Sequence, residues 1–155
     1  MAKEIERKFL VCDTSYREMA LQSIEILQGY ISTDPKATVR VRLFGDKAFL
    51  TVKGITTGAV RDEWEYSVPV SDAREMLDRV CDESFIHKIR YIVPFDGRTW
   101  EVDEFIQPKK GLVVAEIELD DRHAKFSCPP FIGEEVTGNP AYYNSAIAKS
   151  CGIAD

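Results

Sequence analysis

Most of the chain alternates between apolar and polar residues with a period of two. "ATVRVRLF" (37–44), "KAFLTVKG" (47–54), "RDEWEYSVPV" (61–70), "IHKIRYIVPF" (86–95), "TWEVDEFIQ" (99–107) and "LVVAEIELD" (112–120) all follow this pattern. It is the mark of a strand with one covered face. The opening "EIERKF" and the stretch "GYIST" (29–33) share it, which gives about eight strands. Turn formers separate them: "FGDK", "GITTGA", "FDGR" and "PKKG". Gaps this short join antiparallel neighbours. About eight strands are enough to close a barrel, and closure removes exposed edges.

Three stretches carry a helical period instead. "DTSYREMALQSIEIL" (13–27) has Asp13 or Ser15 as a cap, Ser15 with Glu18 as a capping box, and Met19, Ile24 and Leu27 as an apolar stripe. "SDAREMLDRVCD" (71–82) pairs Asp72 with Glu75 and turns Met76, Leu77, Val80 and Cys81 toward a core. After "TGNP", Asn139 caps and Pro140 opens a third helix through "AYYNSAIAKSC". The expected fold is α+β: one domain over residues 1–155, an eight-stranded antiparallel β-barrel flanked by a few α-helices.

Charge changes the picture. The polar positions of the strands hold charges at i and i+2: Glu4, Glu6 and Lys8 open the chain, and the later pairs are sorted by sign, Arg40 and Arg42, Glu63 and Glu65, Lys88 and Arg90, Glu101 and Asp103, Glu116 and Glu118. One such pair reads as a solvated sheet face. Like charges about 7 Å apart along a strand repel by roughly 2 kcal/mol at an effective dielectric of 20, before screening. Repeating the arrangement strand after strand calls for opposite charges or a ligand to offset it. Paired carboxylates suit a hard divalent cation, and paired Arg and Lys suit phosphate. A closed barrel brings both sets face to face, as a metal-assisted site for a polyanionic phosphate chain needs.

Composition narrows the classes. The 155 residues are 45% hydrophobic and 30% charged, an ordinary globular balance, and the net charge of -6 argues against a nonspecific nucleic-acid binder. No run approaches the ~18 apolar residues of a membrane helix, and no apolar N-terminal segment suggests export. Cys12, Cys81, Cys128 and Cys151 are scattered without a C-x-x-C pair, and His87 and His123 stand far apart. Reduced thiols, a cytoplasmic location and no zinc centre are the expectation.

The ordered set of motifs resembles the CYTH family, the triphosphate tunnel metalloenzymes. It runs from E-x-E-x-K (Glu4, Glu6, Lys8) through "QGY" (28–30), "VRVR" (39–42), "TVK" (51–53), "RDEWE" (61–65), "KIR" (88–90) and "EVDEF" (101–105) to "EIEL" (116–119). The resemblance covers nearly the whole chain and looks most like the compact bacterial triphosphatases. It implies a tunnel with a charged interior and hydrolysis of a triphosphate with Mg²⁺ or Mn²⁺. Inorganic triphosphate is the first choice, and ATP or thiamine triphosphate come next.

By resemblance, Glu4, Glu6, Glu116, Glu118 and Asp103 are metal ligands. Lys8, Arg40, Arg42, Lys53, Arg61, Lys88 and Arg90 clamp phosphate, and Lys8 and Glu63 are catalytic candidates. The expected partner is the small triphosphate, without nucleic acid or membrane. Relatives often form homodimers, though nothing in these residues demands it. The tail departs from relatives that carry Trp at Phe131, Asp at Asn139 and Arg at Ala141. The alternatives are an adenylate cyclase of the same family and a polyphosphate- or nucleotide-binding module without turnover. Arg7, Glu25, Glu83, Lys109 and Lys110 read as solvated, Tyr30 and Tyr91 as packing, and Trp64 and Trp100 as outward core. The register of Glu65 and Glu101 stays open.

Overall fold

The computed structural model describes residues 2–81 and 85–149. The strands are β1 (Ala2–Val11), β2 (Gln22–Ser32), β3 (Thr38–Phe44), β4 (Lys47–Thr57), β5 (Val60–Ser67), β6 (Phe85–Phe95), β7 (Arg98–Gln107), β8 (Val113–Glu118) and β9 (Ile132–Glu135). The helices are α1 (Tyr16–Met19), α2 (Val70–Arg79) and α3 (Asn144–Lys149), with a 3-10 turn at Pro140–Tyr142. Among these described elements no helix is long and apolar enough to cross a membrane.

Eight antiparallel strands close a ring in the order β5-β4-β3-β2-β6-β7-β8-β1, completed by the β1–β5 pairing. β1 is the seam. One of its edges pairs with β8 from Glu6 to Leu10; the other pairs with β5 from Ala2 to Ile5 and then with β9 at Phe9 and Val11. β9 is therefore an appendage to the ring, and the alternation pattern does not reveal it.

Residues 13–27 do not form the expected single helix. Only Tyr16–Met19 is helical, and the chain from Gln22 onward is strand, paired with β3 and β6. Ile24 and Leu27 sit three apart because they lie on opposite faces of β2, not because it coils: Ile26 is fully buried, and Leu27 packs on an apolar cluster under α2. Asp13 still organises the turn by accepting from the Ser15 backbone N–H at 2.9 Å. The second helix forms as α2, with Asp82 of the expected span lying outside the described residues, as do Glu83 and Cys151. The third segment splits. Asn139 caps the 3-10 turn through its side chain and Tyr143 is extended, so α3 begins only at Asn144. The last two residues of the expected span, Ser150 and Cys151, are not described.

The hydrophobic cores lie largely outside the barrel. Phe9, Trp100, Val102, Ala115 and Ile117 project outward from β1, β7 and β8, and Tyr16 of α1 and Phe131 cover them. Val41, Leu43 and Ala48 project from β3 and β4 beneath Ala73 and Cys81. Gly29 of β2 is required there, since a Cβ would lie 2.8 Å from the Cys81 Cβ and 2.9 Å from the Leu77 Cδ2. Each fully buried aliphatic or Phe side chain contributes about 1.5–3 kcal/mol. Trp100 is fully buried in this outer core, as expected, while Trp64 is only half-buried. Inside, one end of the barrel is apolar: Tyr30, Ile86, Phe105 and Val114 meet Ile147 and Ala148 of α3, which closes that end.

Candidate active site

The pleat sends Glu4, Glu6 and Lys8 of β1 inward, and register fixes what they face. On β8, Glu118 stands opposite Glu6 and Glu116 opposite Lys8. On β7, Glu101 stands opposite Glu116. Directly opposed carboxylates are destabilising. Two cavities open in the lumen, and Glu6, Arg40, Lys53 and Asn144 line both. Lys8, Arg61 and several hydroxyl groups line the first cavity; Glu4, Glu63, Glu116, Glu118, Arg42 and Arg90 line the second. Glu65 and Glu101, whose register was open, also face the second.

The carboxylates divide into paired and unpaired. The Lys53 Nζ lies 2.9 and 3.0 Å from the two Glu4 oxygens and 3.5 Å from Glu63. Burial pushes Glu4 up, but Lys53 and a hydrogen bond shared with Glu63 hold its carboxyl below the usual range. Glu63 goes the other way, raised to about 7 by burial and by Glu4. Glu116 sits 3.4 Å from Lys8, which overcomes burial and brings it down to about 2. Glu6 has no cation within ion-pair distance among the described residues; burial, then Glu116 and Glu4, push its carboxyl well up. Glu118 is raised by burial and by Glu4 and Glu101.

The basic residues also differ in what engages them. Arg42 Nε donates to Gln28 Oε1 at 2.8 Å; burial, with Arg40 and Arg90 nearby, lowers the guanidinium to about 9. Arg40 Nη2 donates to Thr51 at 3.2 Å, while its buried Nε has no hydrogen-bond partner among the described residues. Arg61 donates to the Gly54 carbonyl at 2.6 Å and to Thr38 at 2.8 Å, with its guanidinium 5.7 Å from the Tyr143 ring centre.

Asp103 and Lys88 point inward but line neither cavity, being engaged with each other and with their neighbours. Asp103 accepts from Arg90 at 2.8 and 3.0 Å and from Lys88 at 2.7 Å, and these cations hold its carboxyl far down despite burial. Burial lowers Lys88 to about 7 against the pull of Asp103, whose carboxylate lies 2.7 Å from its Nζ. Its Nζ also donates to Asn144 Oδ1 at 2.9 Å and lies 5.5 Å from the Phe105 ring. Both side chains thus hold the wall that positions Arg90 and Asn144.

Among the described residues no three His, Cys, Asp or Glu side chains converge as a ready-made cation cage. Glu4, Glu6, Glu63, Glu116 and Glu118 nevertheless form an all-oxygen donor set on one wall of the second cavity, which matches a hard divalent cation. Thr51, Gln28 and Asn144 join the site without having been singled out for it from sequence. Gln28 sits in the "QGY" motif, whereas Asn144 is a single polar residue at a helix start and carries no periodic signal.

A closed antiparallel ring with carboxylates and basic groups opposed in its lumen defines a polyanion-handling tunnel. The CYTH domain model matches residues 2–148, and the chain belongs to the CYTH family. It is 50% identical over 150 residues to an inorganic triphosphatase of Acetivibrio thermocellus, covering 97% of this chain and 96% of that one. An inorganic triphosphatase of Nitrosomonas europaea is 34% identical over 151 residues, covering 95% and 97%. The crystal structure of the inorganic triphosphatase NE1496 superposes with a TM-score of 0.68 at 31% identity, covering 94% of this chain and 97% of that chain.

Proposed function

We infer that this chain hydrolyses the terminal phosphoanhydride of a triphosphate, and that inorganic triphosphate is its substrate. The observation that carries the reading is the opposition inside the lumen. Carboxylates gather on one wall of the second cavity, and Arg40, Lys53, Lys8 and Arg61 reach the first. The buried Arg40 Nε, without a hydrogen-bond partner among the described residues, is a donor suited to a phosphoryl oxygen. The relatives named above, similar over nearly their whole length, support the same choice of substrate.

Glu4, Glu6, Glu116 and Glu118 are the residues that hold Mg²⁺ or Mn²⁺, with Glu63 beside them; Asp103, spent on Arg90 and Lys88, supports the wall. A divalent cation bound there supplies charge neutralisation at the phosphoryl oxygens and acidifies water. Arg40, Arg42, Arg90, Arg61 and Lys8 orient the chain of phosphates and stabilise charge on its oxygens, the larger part of phosphoryl-transfer catalysis. Glu63, with a carboxyl near 7, is the proton acceptor. Water attacks the terminal phosphorus, the bridging P–O bond breaks, the proton passes to Glu63, and pyrophosphate and phosphate leave.

The test is phosphate release from inorganic triphosphate, ATP and thiamine triphosphate, each with Mg²⁺, Mn²⁺ or EDTA. Metal-dependent release, fastest from inorganic triphosphate, is expected. Cyclic AMP from ATP without phosphate release identifies a cyclase instead, and tight binding without any product identifies a binding module.

A further inference from the structure

We propose that Asn144 is a substrate-binding residue whose side-chain amide donates a hydrogen bond to a phosphoryl oxygen in the tunnel. The inference rests on the triphosphate reading above. Its ground is the orientation of one amide. Asn144 Oδ1 accepts from the Lys88 Nζ at 2.9 Å. Lys88 is completely buried, with Asp103 at 2.7 Å on its other side. An ammonium donates and does not accept, so the amide oxygen must face it and the NH₂ must face away.

Away from Lys88 lies the lumen. Asn144 lines both of its cavities, a position shared only with Glu6, Arg40 and Lys53 among the described residues. The NH₂ group makes no hydrogen bond among the described residues, in contrast to Gln28, whose amide is consumed by Arg42 and Tyr30. The segment that carries Asn144 is held in place. The Tyr142 carbonyl accepts from the Lys8 Nζ at 2.9 Å, and Ile147 and Ala148 pack into the apolar end of the barrel. The donor is therefore fixed before substrate arrives, which lowers the ordering cost of binding.

The arrangement also explains Lys88. Lys88 sits at the buried base of the same inner face, and by donating to Oδ1 it polarises the amide and strengthens the N–H groups on the lumen side. Lys88 is a positioning residue that acts through Asn144. A neutral donor also suits this spot, where the lumen already crowds like charges.

Two variants test the assignment, Asn144→Ala and Asn144→Asp. The aspartate is nearly isosteric and keeps an oxygen for Lys88, so a merely structural role tolerates it. As a phosphate contact it fails, because a carboxylate replaces the donor. The readouts are calorimetric binding of inorganic triphosphate in EDTA, KM and kcat with Mg²⁺, and the melting temperature. The expected result is about tenfold weaker binding for Asn144→Ala, the loss of one hydrogen bond to a charged group. Asn144→Asp binds weaker still, KM rises more than kcat falls, and both melting temperatures stay near wild type. Unchanged binding by Asn144→Asp overturns the inference, as does unfolding of both variants. Failure of the wild-type protein both to bind inorganic triphosphate and to release phosphate from it with Mg²⁺ overturns the parent reading and this inference with it; binding by wild type and both variants alike overturns this inference alone.

Discussion

Val102 and Asp103 are neighbours in β7, both buried, and they belong to opposite sides of one wall. Val102 faces outward into the apolar cluster of Phe9, Trp100 and Ile117. Asp103 faces inward and is stable there only because Arg90 and Lys88 grip its carboxylate. The outer burial drives folding, since removing apolar surface from water is favourable without any partner in particular. The inner burial does not: charges taken out of water cost several kcal/mol each unless paired. The lumen goes further and opposes carboxylate to carboxylate across β1, β7 and β8. The barrel is held from outside, and its interior is kept charged for a ligand.

The two largest effects fall one on each region. Trp100→Ala empties a fully buried site in the outer core and is expected to cost about 3–5 kcal/mol in urea unfolding. A cost below about 1 kcal/mol would show that the outer core does not carry the fold. Glu4→Gln leaves that core untouched and is expected to lower metal-dependent phosphate release about a thousandfold, since it removes a cation ligand and the partner of Lys53. Retained turnover would remove Glu4 from the metal site.

A smaller effect is in pH. With Glu63 as proton acceptor its carboxylate is the active form, so kcat/KM should fall about tenfold per unit below an acid limb that lies near 7 for the metal-free site and lower with a cation beside it. Glu63→Gln should abolish the limb along with most of the rate. A limb that persists in the variant assigns it to another group.

The smallest effect belongs to the outer ion pair of Arg17 with Glu104, which also accepts from Tyr16. Despite some burial, Arg17 and Tyr16 hold the Glu104 carboxyl below its usual range. A depressed carboxyl stabilises above its unfolded pKa, and that contribution disappears as pH falls through the folded value. Arg17 is more than half exposed, so Glu104→Gln should cost under about 1 kcal/mol at pH 7 and nothing in strong acid. A loss that is independent of pH would point to packing.

Much of this division was legible in the residues. Alternation located the ring strands from β3 to β8, and the segregation of charge by sign marked their inward faces. What escaped has physical reasons. The first half of β2 is exposed on one face, with Ser23 and Glu25 outside, but Leu27 on that same face packs under α2, and this breaks the alternation and leaves Ile24 and Leu27 at a misleading spacing. β9 is four residues long, exposed for the most part, and exists because β1 offers it an edge beyond β5. Asp103 and Lys88 have the right chemistry for the site, but distances of 2.7–3.0 Å to their partners spend them on the wall. Asn144 gains its orientation from a cation contributed by β6, more than fifty positions earlier. No local pattern records that.

The central claim is that the lumen gives up stability for function, and Glu6 is where it is most exposed. Its carboxylate lies among Glu4, Glu116 and Glu118 with no cation in ion-pair distance among the described residues. The decisive measurement is the melting temperature of Glu6→Gln in EDTA, taken beside its phosphate-release rate with Mg²⁺. The account predicts a protein that melts about 2–4 °C higher, as for a gain near 1 kcal/mol in a chain of this size, and that no longer turns over. A lower melting temperature with turnover intact would contradict it, because Glu6 would then be a structural residue held by the protein itself.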